Sequence, residues 1–443
     1  MKGRSITNLA VWIVLVISVS CGRKTDIVSG WAQAGNPISP MGVYIADPTA
    51  RVWDDGKIYV YGSRDESPEY YCSKKYHVLS ASDMSLWTLH EDSFMYDETL
   101  YAPDAWYGNG QYHLYYDTPD GKEYVAVSDS PTGPFKGCVR ISGPQQIDPN
   151  IFVDDDGQAY YFWGQFSAKC AKMNSDLMTL DWTTYKDGVV TEKDHYFHEG
   201  SFVFKRGDWY YFTYADISQK GRPTSIGYAM SKSPMGPYEY KGLIVDNAGC
   251  DPASWNNHGS VVQFKGNWYV FYHRSTHGCN TMRKVCAEPV SFNPDGTISQ
   301  VEMTSQGVAG PLDAFKRIDA ARACWMSGNI RIRRSEEDPM REELGAVHNG
   351  DCAAWKYIDF GKGADGLSAC VKSGSGGQIV FKVDSQEGPV LGVLDIPAGA
   401  DRAVYEIDIN ETAGVHALWI ECNGTAVAED NEELFSLDWI RMN

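Results

Sequence analysis

The sequence has no Cys-x-x-Cys pair among its eleven cysteines, which excludes the common zinc-ribbon and dithiol redox motifs. It has no basic run either. Arg331, Arg333 and Arg334 form only a short cluster, set against a formal net charge of −19. A surface of that sign repels nucleic acid and anionic lipid. Beyond the first twenty residues, no apolar stretch is long enough to cross a membrane.

Those first residues are a targeting segment. Lys2 and Arg4 precede an apolar core, Leu9 to Val19, that ends in Ile-Ser-Val-Ser-Cys. A small residue before Cys21 resembles a bacterial lipoprotein signal. Residues 1–20 are then a signal peptide, and Cys21 is a lipidated first residue that anchors an exported chain at the periplasmic or cell-surface side. Export permits disulfides. Cys250, Cys279 and Cys286 lie close in sequence, as do Cys324, Cys352 and Cys370, but spacing does not fix a pairing.

What is abundant is aromatic residue, 13% of the chain, and it is organised. Five octets begin with glycine: Gly-Lys-Ile-Tyr-Val-Tyr-Gly-Ser from Gly56, Gly-Gln-Tyr-His-Leu-Tyr-Tyr-Asp from Gly110, and Gly-Gln-Ala-Tyr-Tyr-Phe-Trp-Gly from Gly157. Gly-Asp-Trp-Tyr-Tyr-Phe-Thr-Tyr follows from Gly207 and Gly-Asn-Trp-Tyr-Val-Phe-Tyr-His from Gly266. A glycine turn feeding an aromatic, β-branched run is a strand signal. A spacing of roughly 50 residues is the period of propeller blades. Five such units predict an all-β, five-bladed β-propeller. Further strands are expected at Tyr76 to Ser80, Tyr124 to Ser128 and Ser225 to Met230. The matched turns Ser130 to Phe135 and Ser233 to Tyr238 support duplication.

The expected boundaries are a tether over 21–36, the propeller over 37–305 and a linker over 306–317. Over 318–443 the octet disappears and short alternating runs take its place. That change predicts a separate β-sandwich of jelly-roll type.

One polar residue precedes each octet. Asp47 and Asp148 stand nine residues before their glycines, Glu199 and His258 eight, and Asp104 six. A propeller gathers the first strand of every blade around one axis, so these side chains converge. Singly, each has a structural explanation: Asp-Pro starts turns, and a lone buried histidine is usually a satisfied core residue. As a set they crowd carboxylates, which raises like-charge repulsion unless a proton, metal or substrate offsets it. For Asp104 the structural and functional readings balance. Paired carboxyls with aromatic walls suit glycoside hydrolysis, in which one acid holds a proton and another is ionised.

The matching segments are Tyr44-Ile-Ala-Asp47-Pro48, Tyr101-Ala-Pro-Asp104, Ile147-Asp148-Pro149 through Gly157, His198-Glu199-Gly200, and Asn257-His258-Gly259-Ser260 with Tyr272-His273-Arg274. Together they resemble glycoside hydrolase family 43, five-bladed inverting enzymes acting mostly on arabinose- and xylose-containing polysaccharides. The resemblance implies a general base at Asp47, a general acid at Glu199, and at Asp148 a residue that tunes and orients that acid. It implies that His258 helps hold Ca2+ or a similar ion at the axis, often through waters. It implies substrate contacts from Arg274, Trp106, Tyr101 and Asp104. Many members carry Trp where Tyr101 stands. The stretches Gly42 to Asp65 and Tyr70 to Ser82 resemble a subgroup with furanosidase activities, arabinofuranosidase and galactofuranosidase among them.

The C-terminal segment resembles carbohydrate-binding module family 6 at Gly350-Asp351 through Gly361, Gly376 to Ile379, Gly414-Val-His416 and Asp438-Trp439-Ile440. Tyr405 stands where binding members have Trp, and Ser436 where they have Asn. Both changes remove sugar contacts and favour a propeller-supporting role, with Trp355 and Tyr405 as the residues that would contact sugar. The expected activity is release of arabinofuranosyl, xylosyl or related furanosyl residues from polysaccharide side chains. An endo-acting arabinan or xylan hydrolase, a retaining enzyme of the fructan-cleaving type and a catalytically silent glycan-binding lipoprotein are the competing readings.

Overall fold

The computed structural model describes residues 30–220, 224–249, 257–424 and 432–443. The signal segment, Cys21 and Cys250 lie outside them. Five antiparallel sheets follow one another along the chain. Blade one is β1 (Tyr44–Val52), β2 (Ile58–Asp65), β3 (Ser73–Ala81) and β4 (Thr88–Leu100). Blade two is β5 (Asp104–Gly108), β6 (Gln111–Asp117), β7 (Lys122–Ser128) and β8 (Lys136–Gln145). Blade three is β9 (Asn150–Val153), β10 (Ala159–Trp163), β11 (Ser167–Met173) and β12 (Leu180–Thr191). A one-turn helix, α1 (Glu192–His195), leads into blade four: β13 (Phe197–Arg206), β14 (Trp209–Asp216), β15 (Ser225–Ser231) and β16 (Glu239–Val245). Blade five has β17 (Gly259–Phe264), β18 (Asn267–Arg274) and β19 (Lys284–Val290).

Each octet forms the second strand of its blade, and its glycine closes the first hairpin. All five glycines have positive φ, from 59° to 85°, yet a Cβ on any of them would meet nothing within 4 Å. Backbone conformation, not space, therefore selects glycine there. The two matched turns carry the same bond, Gly133 N–H to the Ser130 carbonyl at 3.1 Å and Gly236 N–H to the Ser233 carbonyl at 3.0 Å.

The aromatic residues pack blade against blade. Successive side chains of a strand face opposite ways, so Tyr59 and Tyr61 pack toward blade two while Ile58 and Val60 pack toward blade five. In β10, Tyr161 and Trp163 join blade two, and Tyr160 and Phe162 join blade four. The last junction, blade four with blade five, buries Phe204, Tyr211 and Val270.

Among the described residues blade five has three strands, and residues 36–39 cover its edge. Ile38 N–H donates to the Val285 carbonyl at 2.8 Å, Val285 N–H to Ser39 Oγ at 2.9 Å, and Ala287 N–H to Asn36 Oδ1 at 2.9 Å. An unpaired edge is an aggregation liability, and this segment removes it. The described part of the expected tether is therefore docked rather than exposed. Trp31 is buried under Lys284 and Arg322, whose cations lie 5.1 and 4.7 Å from its ring.

The C-terminal region is a sandwich of two six-stranded sheets over one apolar core. It begins before the expected boundary, because β20 (Leu312–Asp313) already pairs with the strand Cys352–Asp359. The two domains meet across a buried face. Lys284 and Glu342 pair at 2.8 Å with exposures of 2% and 0%, and Arg334 Nε donates to Tyr44 Oη at 3.3 Å. Trp355, expected as a sugar contact, is fully buried in the sandwich core. Tyr405 packs half-buried against the same core. The nine described cysteines are all free thiols.

Candidate active site

The innermost strands β1, β5, β9, β13 and β17 line the axis, and at one end irregular backbone turns four of the expected side chains toward each other. β1 pairs with β2 regularly up to Ala46, slips, and resumes at Thr49. Asp47 sits in that bulge with φ 53°. Asp148, just before β9, has φ 62°. β13 slips between Phe197 and Phe202, around Glu199. Bulges re-aim side chains at strand ends and are common beside active sites.

Contacts tie the set together. Asp148 Oδ2 accepts the Gly200 N–H at 2.8 Å, which sets it beside Glu199. The His258 ring covers Gly200, where a Cβ would come within 3.1 Å of it. His258 Nδ1 is 3.9 Å from Asp47 Oδ1. Asp47 accepts from Ser63 Oγ at 2.7 Å and from Arg283 Nη1 at 3.0 Å. Its N–H donates to His273 Nδ1 at 3.0 Å, which leaves the imidazole proton on Nε2. Glu199 accepts from Gln165 Nε2 at 2.8 Å and keeps 14% of its side chain exposed, against 9% for Asp47.

The acids feel one another. Burial, then the charges of Glu199, Asp117 and Asp47, push Asp148 well above the usual carboxylate range, and the Gly200 N–H only partly offsets them. Asp117 is raised by burial and by Glu123, Asp47 and Glu199. Its Oδ1 accepts the Asp148 N–H at 3.2 Å. Burial lowers His258, opposed by Asp47 and Glu199, so its ring is neutral near pH 7. Burial also pulls on Arg283, but Asp47, Asp65 and its hydrogen bonds outweigh that and hold it charged.

Three of the other four expected residues behave differently. Asp104 is buried and spent. It takes both Arg51 nitrogens, the nearest pair at 2.6 Å, together with Asn150 Nδ2 and the N–H groups of Ala105 and Ile151. No acceptor capacity remains for a sugar. Arg274 is turned away, because β18 alternates and His273 takes the axial side. Its guanidinium donates to Cys286 Sγ and, in the second domain, to the Ala323 carbonyl at 3.1 Å. Trp106 lies at the opposite end of the axis, against Trp53. Tyr101 stays at the catalytic end, half-buried, its N–H donating to the Asp117 carbonyl at 3.2 Å.

The expected ion has little to bind. Among the described residues, no three His, Cys, Asp or Glu side chains are grouped to hold a metal. Ca2+ takes six to eight oxygen ligands, whereas His258 offers a nitrogen and each Asp47 oxygen already accepts one hydrogen bond. These residues alone do not complete such a shell, so an ion here would take most of its ligands from water.

Sequence reasoning missed Arg283, Asp117, Ser63, Gln165 and Phe166. Three of the five octets carried a signal in their last position, which is Ser63, Asp117 and His273. Each of these touches Asp47 or Asp148. Phe166, half exposed, stands edge-on to His198 at 5.2 Å beside Glu199. Tyr71 covers Arg283 from the loop over 66–72, 5.2 Å from ring to guanidinium.

Residues 34–298 match the model of glycosyl hydrolases family 43, and residues 319–443 that of the family 6 carbohydrate binding module. A xylosidase/arabinosidase of Thermoclostridium stercorarium is 30% identical, over 89% of this chain and 97% of that protein. An arabinoxylan arabinofuranohydrolase of Bacillus subtilis is 27% identical, over 98% and 99%. Among solved structures, a family 43 arabinoxylan arabinofuranohydrolase from Bacillus subtilis with cellotetraose is 25% identical at a TM-score of 0.53, covering 93% of this chain and 99% of that one. A family 43 β-xylosidase/α-arabinofuranosidase from a compost metagenome, with xylotriose, is 29% identical at 0.53, covering 60% and 97%. With the propeller, its axial acids and this match over more than half its length, the chain belongs to the glycosyl hydrolases of family 43.

Proposed function

We propose that this inverting glycosidase removes arabinofuranosyl, xylosyl or related furanosyl residues from polysaccharide side chains. The names of the full-length relatives support the sugar class, and a β-D-galactofuranosidase of Aspergillus niger among the relatives widens it to other furanosides. The observation that carries the assignment of roles is the Asp148–Gly200 bond. It fixes a raised carboxyl beside Glu199, while Asp47 accepts hydrogen bonds from Arg283 and Ser63.

In this mechanism Asp47, hydrogen-bonded to Arg283 and Ser63, takes a proton from a water. That water attacks the anomeric carbon from the face opposite the leaving group. Glu199, the more exposed acid, gives its proton to the departing glycosidic oxygen. Burial and the neighbouring acids hold Asp148 above its usual range, which favours a proton within the cluster. Inversion needs the two acting carboxyls about 6.5–9.5 Å apart, with water between them. Phe166 and Tyr71 form the rim against which a sugar face packs. No step runs through a metal.

The test is a panel of aryl arabinofuranosides, xylosides and galactofuranosides, with proton NMR of the first-formed anomer. Turnover of at least one with the inverted anomer appearing first is expected. Release of the retained anomer, or binding of oligosaccharide with no hydrolysis across the panel, contradicts the proposal. Export with a lipid anchor on Cys21 is part of it. Cys21→Ala is expected to move the chain from the membrane fraction to the soluble one, and unchanged fractionation would rule the anchor out.

A further inference from the structure

At the end of the axis remote from Asp47, the hairpin turns leave two cavities that share one tryptophan. The first, about 510 Å³, lies where blades five, one and two meet, and is walled by Trp53, Trp106, Tyr107 and Tyr112 with Asp54 and Gln263. The second, about 540 Å³, lies between blades two and three, and offers Asp156, Gln158 and Asn174 on the other side of Trp106. Each is within the range of small-ligand sites. Asp47 and Val52 stand five residues apart along the same strand, so this face is separate from the funnel by ~15 Å.

The chemistry of the walls selects a ligand class. The rings are fixed by one another: Trp53 meets Trp106 and Tyr112 edge-on at 6.2 and 5.5 Å, and Tyr107 lies 4.7 Å from Tyr112. Tyr107 is 43% exposed. Arg51 is the only cation among the described residues lining either cavity. Both oxygens of Asp104 hold it. An anionic ligand therefore finds only a cation whose charge Asp104 already offsets. A purely apolar ligand would strip water from the carboxylates and carboxamides around the rings. A neutral sugar satisfies both demands, laying its C–H face on an aromatic ring and its hydroxyls on planar amides and carboxylates.

We propose that this face is a second saccharide site, which docks an uncharged stretch of a polysaccharide while the funnel performs cleavage. The proposal rests on the reading of the enzyme as polysaccharide-directed, which supplies the ligand.

The test is affinity electrophoresis of the full chain through gels containing wheat arabinoxylan or linear arabinan, beside assays on a small aryl glycoside that only the funnel can hold. The wild-type chain should be retarded by at least one polymer. Tyr107→Ala and Gln263→Ala, at exposed rim positions, should weaken that retardation about three- to tenfold, the equilibrium equivalent of one lost ring contact or one lost hydrogen bond. Aryl glycoside turnover should be unchanged in both. Equal retardation of wild type and variants, or no retardation of the wild type by either polymer, overturns the second site. Absence of aryl glycoside turnover in the wild type instead strikes the catalytic reading, so the two failures are told apart.

Discussion

Asp47 and Asp104 are both buried aspartates on innermost strands, and each faces a buried arginine. Asp104 meets Arg51 through both its oxygens and accepts three further hydrogen bonds. Asp47 meets Arg283 through one oxygen and Ser63 through the other. A carboxylate has about four lone-pair sites. Asp104 is saturated, so it can only join blades. Asp47 keeps capacity for a water, and Arg283 is itself shared with Asp65, which takes its Nε at 2.8 Å. Pairing with arginine therefore does not separate the structural acid from the chemical one. The number of donors already satisfied does.

That contrast is broken most sharply by exchanging charge for shape at each site. Asp47→Asn should cut kcat by about 10²–10⁴-fold, the usual yield of a general base, with an unfolding midpoint close to wild type. Asp104→Asn should do the reverse. It leaves Arg51 buried and uncompensated, at a cost of about 3–5 kcal/mol read by urea denaturation, while activity per folded molecule stays near wild type. Equal loss of activity in both variants would erase the distinction.

Arg283→Lys sharpens it. The charge survives, but the fork that spans Asp47 and Asp65 does not, and a slackened base should lower kcat about 10²-fold with little change in KM. If kcat is untouched, Arg283 is only a counter-ion.

A third buried acid, Glu288, extends the rule to pH. It accepts from Asn36, Thr304 and Tyr272 and makes no ion pair among the described residues, and burial lifts it to about 8. The folded chain keeps a proton that the unfolded chain has lost. Stability therefore falls as pH rises from about 4.5 to about 8, with a slope of at most ~1.4 kcal/mol per pH unit. Glu288→Gln should flatten that interval in urea titrations at pH 5, 6.5 and 8; an unchanged slope would assign it to other groups.

The propeller was legible because each blade repeats one backbone event, a positive-φ glycine and then strand alternation. The acids were legible by offset, and the offset also held the warning about Asp104. Standing six residues before its glycine rather than eight or nine, it lies ~7–10 Å farther along the axis. Trp106, two residues on, follows it to the remote face. Arg283 was not legible, since a partner 236 residues from Asp47 leaves no local pattern. Arg274 misled because adjacent strand residues face opposite ways, and His273 holds the side toward Asp47. The docking of residues 30–36 was equally hidden, because a Gly- and Ala-rich stretch around Trp31 resembles a tether until blade five is seen to have three strands among the described residues.

The division of labour between Asp47 and Glu199 is tested most directly by leaving-group chemistry. A 2,4-dinitrophenyl glycoside needs no proton to depart, whereas an alkyl glycoside or natural oligosaccharide does. Glu199→Ala should retain substantial turnover of the dinitrophenyl substrate and lose the natural one, and Asp47→Ala should lose both. Equal loss on both substrates in the Glu199 variant, or retained natural turnover in the Asp47 variant, would contradict the assignment.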